Sequence, residues 1–231
     1  MDRDAFLARL RSALHRAPTD PVLLPPDPPE LRTTWDADEL RVQFELAARA
    51  AGMAVRLAPD EAAARDEIAR IVTSAEDATG GGVGSIPVAL SADAVVERVV
   101  GDNGWAVVAD AADAKIGVTG AVTAAADVGS VVLSSRAGRR AGLLVEHHVV
   151  LLAAERIRPT LAEALALARS ESDVAAVGQF GAAARRSRSA VTAGPSALTL
   201  VTGPSRSADI ELTLTTGVHG PGEVTVIVVG S

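Results

Sequence analysis

The chain contains no cysteine. It therefore forms no disulfide, holds no iron–sulfur cluster through thiolates and offers no thiol nucleophile. Any redox role needs a bound cofactor or a partner protein. Aromatic residues are only 2% of the total and tyrosine is absent, so the stacking platforms that single-stranded nucleic acid requires are scarce. Basic residues number 22 against 29 acidic, a net charge of −7, and that balance disfavours nucleic acid and anionic membrane as partners. Long apolar runs are missing as well. The stretch from Leu143 to Ala154 is broken by Glu146, His147 and His148, which leaves it too short and too polar to span a bilayer. Met1 to Arg16 is charged and amphipathic, without the apolar centre of a signal peptide; the expected location is the cytoplasm. G-x-S-x-G and H-E-x-x-H are absent, and no lysine follows the glycines at Gly80 to Gly84, so that segment reads as a linker rather than a phosphate loop.

What remains is a chain of 231 residues, 48% hydrophobic, long enough for one large domain. Phe6, Leu7, Leu10 and Leu14 recur at helical spacing, so residues 2–16 read as an amphipathic helix. Six prolines between Pro18 and Pro29 mark an extended linker. The first helix either packs on a neighbour or a second copy of the chain, or folds back on its own domain. Residues 1–17, 18–35 and 36–231 are thus expected as helix, linker and main domain.

From Asp36 onward helices and strands alternate. Asp36 and Asp60 are placed to cap helices, Gly52 to end one, and Ser91 to cap a third. Around Val118 to Leu133 small and β-branched residues show no helical period. Asp127-Val128-Gly129 interrupts them, which reads as a β-hairpin with Gly129 at positive φ. His148 to Ala154 is a near-continuous apolar strand, a sign of burial on both faces. Thr160 and Glu163 fit a capping box, and residues 181–196 read as a surface loop. The expected fold is α/β: a mostly parallel sheet flanked by helices, with an added β-hairpin.

Polar chemistry concentrates near the C-terminus. A β-like run feeds Gly203-Pro204-Ser205, and the pattern predicts a short helix next, then a turn carrying His219 and Gly220, then a strand from Val224. In an open α/β sheet, ligands bind outside the carboxyl ends of the strands. A helix N-terminus beside Arg206, with Ser205 as a cap, would be a phosphate or carboxylate clamp; equally, it would be an ordinary connection in which Asp209 complements the helix dipole. His219 is either a general acid/base or carboxylate ligand, or a turn histidine bonded to a main-chain carbonyl. Adjacent strand residues face opposite sides, so His147 and His148 do not share a ligand. His148 with His219 and a carboxylate is the one remaining metal combination. Asp127, beside Ser130, is either a base or ligand anchor, or turn chemistry.

The run Gly203-Pro204-Ser205-Arg206-Ser207-Ala208-Asp209-Ile210-Glu211, with Gly217-Val218-His219-Gly220-Pro221, resembles the C-terminal motif of the LUD-domain family, most of all its lactate utilisation protein C branch. Val118-Thr119-Gly120-Ala121 and Ala126 to Ser130 resemble the family's middle motif, and His148-Val149-Val150 with Arg156 to Thr160 its next segment. The resemblance implies a fold like that of the NagB/RpiA/CoA-transferase group. It also implies a subunit of an L-lactate utilisation system that oxidises lactate to pyruvate together with iron–sulfur partner proteins. His219, Asp127 and His148 would then line a catalytic cleft, with Gly203, Pro204, Ser205, Arg206, Asp209, Ser130 and Gly220 binding an anionic ligand. One departure stands out: where the family commonly has Ala-Glu-Thr-Gly-Thr, this chain has Ala126-Asp127-Val128-Gly129-Ser130, with a carboxylate one methylene shorter and one hydroxyl fewer. Two other readings stand beside this one. One is a stand-alone enzyme or binding protein for a phosphorylated or CoA-linked molecule; the other is a scaffold or regulatory subunit. No cofactor is identified by the residues, and the first helix and linker are suited to self-association.

Overall fold

In the computed structural model, the residues described are 35–82, 84–101, 104–138, 140–178, 197–208, 214–216 and 220–230, together with Phe6, Arg9 and Ser12. The chain divides into Met1–Thr33 and Thr34–Ser231. In the first unit Phe6, Arg9 and Ser12 are helical; the rest of the expected helix, the proline-rich linker up to residue 34 and the loop at 181–196 lie outside the described residues.

The second unit begins with α1 (Ala37–Ala50). Asp36 accepts from the Glu39 N–H at 2.8 Å while the Glu39 carboxylate accepts from the Asp36 N–H at 3.1 Å, the reciprocal arrangement that satisfies two orphan donors of a first turn. Gly52 follows the C-cap at φ 93°. Then come β1 (Ala54–Ala58), α2 (Glu61–Thr79, capped by Asp60), β2 (Pro87–Leu90), α3 (Ala94–Val100) and β3 (Ala106–Val107). The residue preceding α3 in the cap position is Asp93, not Ser91; the Ser91 hydroxyl instead donates to the Asp93 carboxylate at 2.5 Å. Next are β4 (Ile116–Gly120), β5 (Thr123–Ala125), β6 (Ser130–Ser134), the short α4 (Arg140–Leu143), β7 (His147–Ala153), β8 (Ile157–Arg158) and α5 (Leu161–Gly178). The chain closes with β9 (Leu198–Val201), β10 (Arg206–Ala208), β11 (Leu214–Thr216) and β12 (Glu223–Val229).

Six strands form one parallel sheet in the order β1-β12-β7-β4-β2-β3. A second sheet, β8-β5-β6-β9, holds the expected hairpin β5–β6 in antiparallel register, with Gly129 at φ 63° in its loop. The strand alternation divides the core. Val150, Leu152, Val224, Val226 and Val228 point from the parallel sheet toward α1 and the second sheet. Val149, Leu151, Ile116 and Ile227 point the other way, onto Ile68 and Val72 of α2 and Val96 and Val99 of α3. Ala164 and Ala168 of α5 cover the outer side of the second sheet. The layers are therefore α2 and α3, parallel sheet, α1 with the second sheet, and α5.

Two further expectations need correction. Residues 206–208 form strand β10, paired antiparallel with β11, so no helix starts at Arg206. The strand before the Gly203 turn, β9, pairs antiparallel with β6 in the second sheet and is not part of the parallel sheet at all.

Candidate functional site

The turn at Gly203–Ser205 is fixed by its neighbours. The Ser205 N–H donates to the Pro221 carbonyl at 2.8 Å, and the Gly222 N–H to the Glu146 carbonyl at 2.9 Å. Pro221 and Gly222 immediately precede β12, and Glu146 precedes β7. Gly203, at φ 118°, sits where a Cβ would strike the Ala51 carbonyl oxygen, just before β1. All three strands run the same way, so the turn lies at the amino edge of the parallel sheet, not at the carboxyl edge the sequence led us to expect. Gly220 is tucked against Ser205, where an added Cβ would come within 3.3 Å of the Ser205 Cβ.

The Arg206 guanidinium lies over Gly52, so close that a Cβ at Gly52 would collide with it. Gly52 is the residue after the C-cap of α1, where carbonyl groups leave partial negative charge. The cation thus faces a helix C-terminus, the opposite polarity from the helix N-terminus expected from the sequence. Arg206 is exposed and makes no ion pair among the described residues. Nearby in the fold, the hairpin loop packs onto the same helix: a Cβ at Gly129 would strike the backbone of Ala47 and Ala48. Ser130 is buried and its hydroxyl shares a 2.6 Å hydrogen bond with that of Thr202. The structure therefore brings together Ser130, Thr202, Gly203, Pro204, Ser205, Arg206 and Gly220 around the end of α1. Asp209 and His219 lie outside the described residues.

Asp127 is exposed and its carboxylate accepts from the Leu161 N–H at 3.2 Å. It joins Thr160, whose hydroxyl accepts from the Glu163 N–H at 3.2 Å, at the positive end of α5. His148 is placed differently again. Its side chain lies on the α4 side of β7, fully buried, against Gly142, where a Cβ would come within 2.8 Å of the ring. Its Nε2 pairs with the Thr119 hydroxyl at 2.8 Å, and Nδ1 has no partner among the described residues. Burial, helped by the neighbouring His147, pushes its pKa down to about 4. At neutral pH it is an uncharged imidazole that holds one hydroxyl.

His147 faces the other side of the sheet. Its Nε2 is 2.9 Å from the Thr225 hydroxyl and its Nδ1 is 3.5 Å from the Glu223 carboxylate. Burial lowers its pKa, with Glu223 acting the other way. It borders a cleft of about 880 Å3 between α2 and the amino edge of the parallel sheet. The sequence offered no signal for that cleft, because its residues come from α2, β1, β4, β7 and β12 and meet only after pairing. Thr119, Thr202 and Thr225 were missed for the same reason. Among the described residues, no three metal-ligating side chains come together, and no helix is long and apolar enough to cross a membrane.

Residues 42–229 match the LUD domain. The chain belongs to the LUD-domain family. Among relatives of this LUD domain is lactate utilization protein C of Bacillus licheniformis, 35% identical over 124 residues, a match covering 52% of this chain and 44% of that protein. Its namesake in Bacillus subtilis is 32% identical over 130 residues, 55% of this chain and 48% of that protein. The LUD chain thus matches about half the length of these curated relatives. A crystal structure of a DUF162 family protein from Deinococcus radiodurans superposes with a TM-score of 0.58 at 21% identity, covering 85% of this chain and 99% of that one. At that identity the likeness speaks for the α/β fold.

Proposed function

We propose that this protein is a component of a lactate utilisation system. The observation that carries the reading is the LUD-family match over residues 42–229 together with relatives named lactate utilization protein C. In the finer form of the proposal, L-lactate is oxidised to pyruvate by an assembly in which iron–sulfur partner proteins accept the two electrons and the two protons pass to solvent. A chain without cysteine holds no thiolate-bound cluster, so the electrons go to the partners and this subunit contributes binding surface and shape. The Arg206 turn is the candidate contact for a small carboxylate. Its guanidinium is exposed and unpaired among the described residues, and Ser205, Gly220 and the Ser130–Thr202 pair are built around it. Asp209 and His219 follow that turn in sequence and complete the proposed set. His219, Asp127 and His148 are the proposed catalytic residues of the family resemblance; Asp127 caps α5 and His148 holds the Thr119 hydroxyl, so neither touches the Arg206 turn.

The test is growth. Deleting the gene should abolish or slow growth on L-lactate as sole carbon source and leave growth on pyruvate intact, with rescue by the wild-type chain. Arg206→Ala, an exposed substitution, should weaken carboxylate binding by at least about tenfold, the scale of a lost charge-assisted contact, and restore growth on L-lactate more slowly than wild type. Normal growth of the deletion strain on L-lactate would sink the lactate reading. Full rescue by Arg206→Ala would remove the Arg206 turn from it.

A further inference from the structure

We propose that the cleft between α2 and the amino edge of the parallel sheet is a second ligand site, one that takes an organic anion with an apolar body. The volume, about 880 Å3, falls in the range of small-molecule sites. Its apolar part is the half-buried Ile71 and Ala75 of α2, backed by the buried Ile86 and Ile116; the rest of the lining is polar. Its rim is charged, and most of that charge is already used. Arg70 pairs with Glu67, and Lys115 lies 3.8 Å from Glu146. The Thr225 hydroxyl takes Nε2 of His147, and the Glu223 carboxylate lies 3.5 Å from Nδ1, so the ring forms a wall of the cleft. Arg56 on β1 is the exception: it lines the cleft and has no partner among the described residues.

One unneutralised guanidinium with an aliphatic patch in the same cleft fits a carboxylate, sulfonate or phosphate head with a hydrocarbon or ring behind it. The head takes the bidentate donors of arginine and the body removes water from the patch. The site is independent of the lactate reading. Arg56, Ile71 and His147 lie on the α2 face of the sheet, whereas Arg206 packs on α1, on the other face.

Isothermal titration of the full chain with octanoate, octanamide and acetate separates the two parts of this chemistry. Octanoate should bind saturably, and octanamide and acetate at least about tenfold more weakly, each lacking one half of the match. Arg56→Gln, an exposed change, should weaken octanoate about tenfold without altering the melting temperature. Ala78→Trp, at an exposed position on the cleft wall, should block binding by filling space. Arg206→Ala should leave octanoate binding unchanged, so a failure here is distinguishable from a failure of the lactate proposal. No saturable binding of octanoate, equal binding of octanamide or acetate, or full binding by Arg56→Gln would each overturn the site.

Discussion

His148 shows how one side chain couples packing to pH. It is buried between β4, β7 and Gly142, and its proton is bound in the folded state only near pH 4. Unfolded, the same imidazole protonates near 6.5. Between these values the unfolded chain binds more protons, so this residue's contribution to stability is complete above pH 6.5 and is lost as the pH falls toward 4. At 1.36 kcal/mol per unit, the full loss is roughly 3 kcal/mol. Urea unfolding at pH 7 and pH 5 should therefore show wild type weakening on acidification. His148→Gln should show a shallower dependence, by up to one proton's worth, because it has no group to charge. An unchanged slope in His148→Gln would mean that the imidazole is not held neutral by the core. The opposite orientations of His147 and His148 follow from the two-residue period of a strand and were legible in the sequence. The partners Thr119 and Thr225 were not, because each belongs to another strand.

Elements with local signals lie where the sequence puts them: the Asp36 and Asp60 caps, Gly52 after α1, the Thr160–Glu163 pair and the Asp127–Gly129 hairpin loop each rest on residues close in sequence. Apart from the cap of α3, where Asp93 and not Ser91 takes the position, the misreadings were matters of pairing. Arg206 to Ala208 has a sequence that suits a first helical turn, yet antiparallel pairing with Leu214–Thr216 makes it a strand. Which edge of the sheet the Gly203 turn occupies depends on β9 leaving the parallel sheet for the second one, and nothing near Gly203 encodes that. The hairpin itself gives a test of how elements dock. Gly129 and Gly80 have nearly the same φ, 63° and 67°, but a Cβ at Gly80 meets open space while one at Gly129 strikes the α1 backbone. Gly80→Ala should cost only the left-handed strain, about 1 kcal/mol. Gly129→Ala carries the same strain and must also move the loop off α1, so its loss should exceed that of Gly80→Ala by at least about 1 kcal/mol. Equal shifts in the urea midpoint would show that the loop and α1 are not in firm contact.

At the scale of the whole molecule, the question is which part of the chain carries the cooperative fold. Every residue in the four buried clusters, among those described, lies between Phe44 and Val228, with Trp35 and Leu40 packed at the margin. The boundary at Thr34 leaves both Trp35 and the Asp36 cap with the second unit. A chain of residues 34–231 should therefore unfold in a single calorimetric transition, within about 2–4 °C of the full chain, since ~1 kcal/mol moves a domain of this size by that much. A chain starting at Ala37 loses the packing of Trp35 and the capping box. The cap alone is worth about 0.5–2 kcal/mol, so its midpoint should fall visibly below that of 34–231. If the longer fragment instead melts broadly or far below the full chain, the first 33 residues contribute to the core. The linker would then be a connection within one folding unit. If only the shorter fragment falls, the folding unit is closed at its N-terminal end by Asp36 and Glu39.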